Sequence, residues 1–226
     1  MSGLINDILD FARGRLGGGI SASIIPQLNF WRQLEDVISE LQMAHPMNPI
    51  LRQIPHDLEV VCDGDRICQA LSNLLKNALI HGEPEQPVTI RASVADKKFL
   101  LQVENFGPPI RKETQRRIFG PFARVPGKSS HEGLGLGLFI VAEIAKAHGG
   151  TVSVHSDEQS TIFSMELPQP RGEYRRVPSG TFLRRKDQIP YSLSYAGKML
   201  LRSIKDVAPE RRFCESFFFP ALHLYQ

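Results

Sequence analysis

The segment Asn73-Leu-Leu-Lys-Asn77-Ala-Leu-Ile-His81 sets three polar side chains four residues apart. On a helix they form one polar line through an otherwise apolar surface. A buried amide destabilises the fold unless its donors and acceptor are bonded, so two on one stripe require partners. The partners are either neighbouring loops that the amides cap, or a hard cation such as Mg²⁺, which takes oxygen ligands together with substrate phosphates. Further on, Val103-Glu-Asn105-Phe-Gly107-Pro-Pro109-Ile110 closes a strand-like stretch. Asn105 carries an acceptor and a donor suited to the edge of a base, and Gly107 lets a ligand approach the backbone closely. The same residues also make an ordinary turn. Third, Gly133-Leu-Gly135-Leu-Gly137 opens a helix, where free N–H groups and the positive helix end favour an anion. A flexible loop is the alternative there. Gly127-Lys128-Ser129 imitates a P-loop, but that motif's first glycine falls on Phe122 and no apolar strand precedes it.

These residues need elements to hold them. Leu4, Ile8 and Phe11, flanked by Ile5, Leu9 and Ala12, predict a leading helix stopped by Gly17-Gly18-Gly19. Leu34, Val37, Ile38 and Leu41 predict a second helix ending before His45-Pro46. Residues 50–54 and 58–62 read as strands. Asp65 is placed to cap a helix over 66–81, whose buried face is Ile67, Leu71, Leu74, Leu75 and Ala78. Alternation through Val88, Ile90, Ala92 and Val94, then Leu101 and Val103, predicts a hairpin about Asp96-Lys97-Lys98. A short helix over 112–119, a helix over 136–148 stopped by Gly149-Gly150, and a hairpin of 151–155 with 161–167 complete the pattern. The expected fold class is α+β: a two-layer sandwich of mixed, mostly antiparallel sheet and helices.

In this order and spacing the three motifs resemble the ATP-binding catalytic domain of sensor histidine kinases of two-component systems. That family lies within the gyrase, chaperone, histidine kinase and mismatch-repair ATPase superfamily. Asn73–Asn77 resembles the asparagine box, Asn105–Ile110 the first glycine box and Gly133–Gly137 the second. Ile118-Phe119-Gly-Pro121-Phe122-Ala-Arg124 resembles the phenylalanine box, which favours a kinase over the other branches. Ser160-Thr161-Ile-Phe163 resembles the terminal strand whose threonine lies near the base. The resemblance covers residues 25–168, and the helix within 1–19 looks like a remnant of the dimerisation and phosphotransfer hairpin.

The resemblance implies Asn77 with Asn73 as ligands of the Mg²⁺ that bridges ATP phosphates, and Asn105 as the reader of the adenine amine. Gly107 and Thr161 would flank the base, and residues 120–133, with Phe122, would form a lid over the phosphates. Gly133, Gly135 and Gly137 would let it fold and present N–H donors. The metal and donors would neutralise charge on the transferred phosphoryl group. Two departures stand out. The family usually has aspartate where this chain has Asn105, which removes charge assistance worth roughly 1 kcal/mol. Pro109 replaces a second glycine and fixes its own φ near −65°.

The same resemblance implies an acceptor histidine on a hairpin helix, followed by an acid. His56-Asp57 imitates that pair but lies beside Pro55 between strands, so the acceptor is expected on another chain or segment, with a response regulator receiving the phosphoryl group next. The rival expectations are a non-catalytic nucleotide-binding fragment docking on a kinase or regulator, and a serine-directed or hydrolytic member of the superfamily.

Composition sets the outer limits. The 226 residues are 42% hydrophobic, enough for one domain with appendages and against wholesale disorder. No run approaches the ~18 apolar residues of a membrane span, and the start does not read as a signal peptide. Three cysteines without paired spacing argue against a disulfide framework or zinc site. A cytoplasmic chain with no nucleic-acid partner is expected. The net charge of +3 is a sum of −3 over residues 1–170 (16 basic, 19 acidic) and +6 over 171–226 (11 basic, 5 acidic). All 4 tyrosines lie in that basic tail, which shows no sustained period.

Overall fold

In the computed structural model of the chain, residues 8–12, 19–123 and 134–170 are described, with 174–176 and 182–184 described as backbone. Strands β1 (Ile25–Gln27), β2 (Ile50–Gln53), β3 (Val60–Cys62), β4 (Val88–Ala95), β5 (Lys98–Asn105), β6 (Thr151–Ser156) and β7 (Thr161–Pro168) are interspersed with helices. These are α1 (Phe30–Ala44), α2 (Gly64–His81), α3 (Lys112–Gln115) and α4 (Gly137–Ala147). Residues 8–12 are helical, as expected; Gly17-Gly18-Gly19 lies partly outside the described residues. In the tail, Tyr174–Arg176 and Phe182–Arg184 pair as an antiparallel hairpin in a separate unit. Among the described residues no helix is long and apolar enough to cross a membrane.

Five strands form one sheet in the order β2-β4-β5-β7-β6. β2 runs parallel to β4 and every other neighbour is antiparallel. β1 and β3 make a separate antiparallel pair. The expected mixed α+β sandwich is therefore present, with the last hairpin folded back so that β7, not β6, lies beside β5. Side-chain alternation sorts the two faces. Phe99, Leu101 and Val103 of β5 stand opposite Leu167, Met165 and Phe163 of β7, all buried beneath the helices. The other face carries Gln102, which donates to Ser164 Oγ at 2.9 Å, and the Arg91–Glu104 pair at 2.7 Å.

Helices α1, α2 and α4 supply the opposing layer through Phe30, Leu34 and Ile38, Ile67, Leu71 and Leu75, and Ile140 and Ile144, each with no exposed surface. Fully burying such a side chain contributes about 1.5–3 kcal/mol. The five apolar positions expected on α2 are all buried. Its cap differs from expectation: the helix begins at Gly64, and Asp63, not Asp65, accepts the Arg66 N–H at 3.2 Å. Asp63 has the extended backbone of a cap, whereas Asp65 already lies within the first turn and favours the helix dipole from there. The short helix expected over 112–119 closes at Gln115, and turns follow.

Candidate functional site

Helix α2 is the spine of the site. Its start is tied to the end of α4: Asp63 N–H donates to His148 Nε2 at 3.0 Å, while His148 Nδ1–H donates to Ile144 O at 2.8 Å. From that anchor the helices run antiparallel. At ~1.5 Å per residue, ten residues along α2 match eleven back along α4, so Asn73 meets Gly137. A Cβ on Gly137 would stand 3.7 Å from Asn73 Oδ1. Asn73 Nδ2 is buried and has no hydrogen-bond partner, the one such side-chain atom among the described residues. A buried donor without a partner costs about 1–3 kcal/mol, so this amide head is suited to an acceptor that the described residues do not provide. Leu136, the N-cap of α4 beside it, makes no side-chain cap bond.

Two of the three glycines of the second motif are described. Gly135 has φ 68°, and a Cβ there would lie 3.0 Å from Ala123 O and 3.2 Å from the Phe122 backbone. Only glycine fits that turn. Gly133, Arg124 and the remainder of the expected lid lie outside the described residues. Phe122 is exposed with φ 58°, and its ring meets Phe11 edge-on at 5.1 Å. Phe11 in turn touches Phe139 of α4. Asp10, nearly fully buried, accepts from Arg66 Nη1 and Gln69 Nε2, both at 2.9 Å. The leading helical segment is thus seated on α2 and α4.

The opposite end of α2 carries the first glycine motif. Glu83 N–H donates to Phe106 O at 2.7 Å, and a Cβ on Gly107, whose φ is 152°, would approach His81 O to 3.2 Å. Asn105 is 5% exposed and its Nδ2 donates to Phe106 O at 3.2 Å, which leaves Oδ1 as the acceptor. Thr161 stands directly opposite Asn105 across β5 and β7 and is equally buried. Asn77 lies on the same stripe, one turn beyond Asn73, and is half-buried. The structure therefore brings Asn73 to Gly137, and Asn105 and Gly107 with Thr161 to the end of α2. About 12 Å of helix, eight residues from Asn73 to His81, separates the two clusters.

The metal reading is compatible with this donor set. Asn73 and Asn77 offer neutral oxygens, and no three His, Cys, Asp or Glu side chains converge among the described residues. An ion here would need further oxygens from a ligand and from water, as Mg²⁺ sites commonly use. Cys62 and Cys68 are unsuited to chemistry: burial pushes both thiols up, Cys68 to about 12. His56 lies in the loop between β2 and β3 and stacks on Trp31 at 4.5 Å.

Sequence reasoning missed His148, Ser156 and Gln115. Ser156 Oγ accepts Ile110 N–H at 2.9 Å and lies 2.7 Å from Thr161 Oγ1. Its signal was available: it continues the inward phase of Val152 and Val154 as a polar residue at a strand end. His148 and Gln115 carry no comparable pattern.

Residues 62–171 match the family described as the histidine kinase-, DNA gyrase B- and HSP90-like ATPase. The sensor protein KdpD of Escherichia coli is 34% identical over 171 residues, 74% of this chain and 18% of that protein. The probable sensor histidine kinase TcrY of Mycobacterium tuberculosis is 34% identical over 169 residues, 73% of this chain and 35% of that one. The catalytic domain of histidine kinase ThkA superposes with a TM-score of 0.56 at 28% identity, covering 65% of this chain and 96% of that domain. The chain spans between 18% and 35% of the length of these two curated relatives.

Proposed function

We infer from one premise, that residues 62–171 belong to the histidine kinase-, DNA gyrase B- and HSP90-like ATPase family, that this chain carries the ATP-binding catalytic part of a two-component sensor histidine kinase. The observation that carries the reading is the Asn73 side chain beside Gly137 at the start of α4, its Nδ2 without a partner among the described residues. A buried donor beside a helix N-terminus is a place where polyphosphate oxygens would find donors.

In this reading the nucleotide lies along α2. Asn105 Oδ1 accepts from the adenine amine, with Gly107 and Thr161 against the base. Asn77 and Asn73 would be the residues to hold Mg²⁺, and the N–H groups of Gly135 and Gly137, with Gly133, would donate to phosphate oxygens. Mg²⁺, when bound, would supply charge neutralisation for phosphoryl transfer. The chain's residues orient the γ-phosphoryl group and keep its oxygens bonded as the bond to ADP breaks and the bond to a histidine nitrogen forms. That histidine belongs to a hairpin on another chain or segment. The position of His56 in a loop, stacked on Trp31, supports this division. A response regulator aspartate takes the phosphoryl group next, and the domain works as a cytoplasmic module over residues 25–168.

The test supplies a separate histidine-bearing hairpin with γ-labelled ATP and follows acid-labile label. Label on the hairpin that requires this chain supports the kinase. Nucleotide binding without label on any cognate hairpin would support the second reading, a regulatory fragment that docks on a kinase or regulator.

A further inference from the structure

Three inward-facing residues close the helix-side face of the sheet at the α2 end. Asn105 of β5, Thr161 of β7 and Ser156 of β6 stand in one cross-strand row, at 5%, 3% and 4% exposure. The next row inward is Val103, Phe163 and Val154, wholly apolar. A buried polar row is costly unless every member is bonded. Asn105 is bonded to Phe106 O, and Thr161 and Ser156 to each other at 2.7 Å. Ser156 Oγ also receives Ile110 N–H, which anchors the far end of the first glycine motif. Gln115 of α3 braces the same point, its Nε2 donating to Ile110 O at 2.6 Å and to Ser156 O at 3.2 Å.

We propose that Ser156, braced by Gln115, is a positioning residue for the nucleotide base, acting through Thr161 and through the 105–110 loop. This rests on the ATP-site reading above. The physical ground is that Thr161 has one hydroxyl, and its bond to Ser156 dictates which side of it remains for a ligand. If Ser156 donates, the Thr161 proton is released toward the site; if Thr161 donates, only its lone pairs are. Ser156 also fixes Ile110, and with it the loop that begins at Asn105. Neither Ser156 nor Gln115 touches the phosphate end of α2, so their influence falls on the base and not on the metal.

The test uses the full chain, with affinities for Mg²⁺-ATP and for adenosine measured by calorimetry, together with unliganded melting temperatures. The expected result for Ser156→Ala is about fivefold weaker binding of both ligands, the loss of roughly one hydrogen bond. Ser156→Thr, which keeps the hydroxyl, restores most of it. Gln115→Leu, on a short surface helix, weakens both ligands about twofold and serves if Ser156→Ala does not fold. With Thr161→Val the Ser156→Ala loss is less than additive, since both act through one bond. A lower melting temperature with unchanged affinities for both ligands overturns the proposal and leaves Ser156 purely structural. Loss confined to Mg²⁺-ATP with adenosine unchanged also overturns it. Absence of nucleotide binding by the unsubstituted chain instead overturns the reading on which it rests.

Discussion

His148 Nε2 accepts the backbone N–H of Asp63 at 3.0 Å, and this bond joins the C-terminal end of α4 to the cap of α2. Because both helices rise at the same rate per residue, that junction decides which residue of α2 faces the start of α4. The residue is Asn73. His148→Leu leaves the Asp63 N–H without its partner and should destabilise the chain by about 1–3 kcal/mol. Urea unfolding of the two proteins checks it, and equal midpoints would remove His148 from the account.

Asn77→Ala removes one oxygen from the α2 stripe while leaving the apolar face of the helix intact. Stabilisation by ATP in EDTA is expected to survive, and the additional stabilisation on adding Mg²⁺ to disappear. Melting curves with ATP, with and without Mg²⁺, measure the difference. An undiminished Mg²⁺ increment places the metal elsewhere.

Gly135→Ala puts a Cβ into a left-handed turn, 3.0 Å from Ala123 O. Strain of this kind costs about 1–3 kcal/mol, and the segment relieves it by shifting away from Asn73. Mg²⁺-ATP affinity should fall about tenfold or more, read by calorimetric titration. Retained affinity would show that the turn's geometry is irrelevant to binding.

Asp157 governs the turn between β6 and β7. Backbone N–H groups of Ser160 and Gln159, then the His155 ring, hold its carboxyl below the usual range. A carboxyl whose folded pKa lies below its unfolded value of about 3.9 stabilises fully above that value and loses the contribution as pH falls through the folded one. The stability difference between the chain and Asp157→Ala should therefore hold from pH 7 to about pH 5 and shrink toward zero as pH falls below about 3.9. Unfolding midpoints along that series check the sign; a difference that grows in acid contradicts it.

Much of this was legible in the alternation of the chain. Leu101 and Val103 announced the buried face of β5, so Asn105 in the same phase announced a polar group where apolar ones belong. Thr161 stands in the same relation to Phe163, Met165 and Leu167. The stripe Asn73–Asn77 was visible because its neighbours Leu71, Leu74, Leu75 and Ala78 left it no solvent-facing reason. What stayed hidden depended on long-range pairing. Periodicity fixes a strand's faces but not its neighbours, so the parallel pairing of β2 with β4 and the place of β7 inside the sheet were not readable. The cap at Asp63 was missed because Asp65 offers the same chemistry two residues later, and only backbone dihedrals separate them. Gln115 acts across the chain on Ser156, and no local pattern marks such a contact.

If α2 and the two glycine segments form a Mg²⁺-ATP site, as proposed, the melting temperature of the full chain in Mg²⁺-ATP tests it most directly. At a hundredfold excess over Kd, ligand linkage adds about 2.7 kcal/mol, which for a chain of this size raises the melting temperature by roughly 5–10 °C. A saturable rise of that order, absent with Mg²⁺ alone and diminished in Asn105→Ala, is the predicted result. A melting temperature that does not move with Mg²⁺-ATP at millimolar concentration contradicts the account.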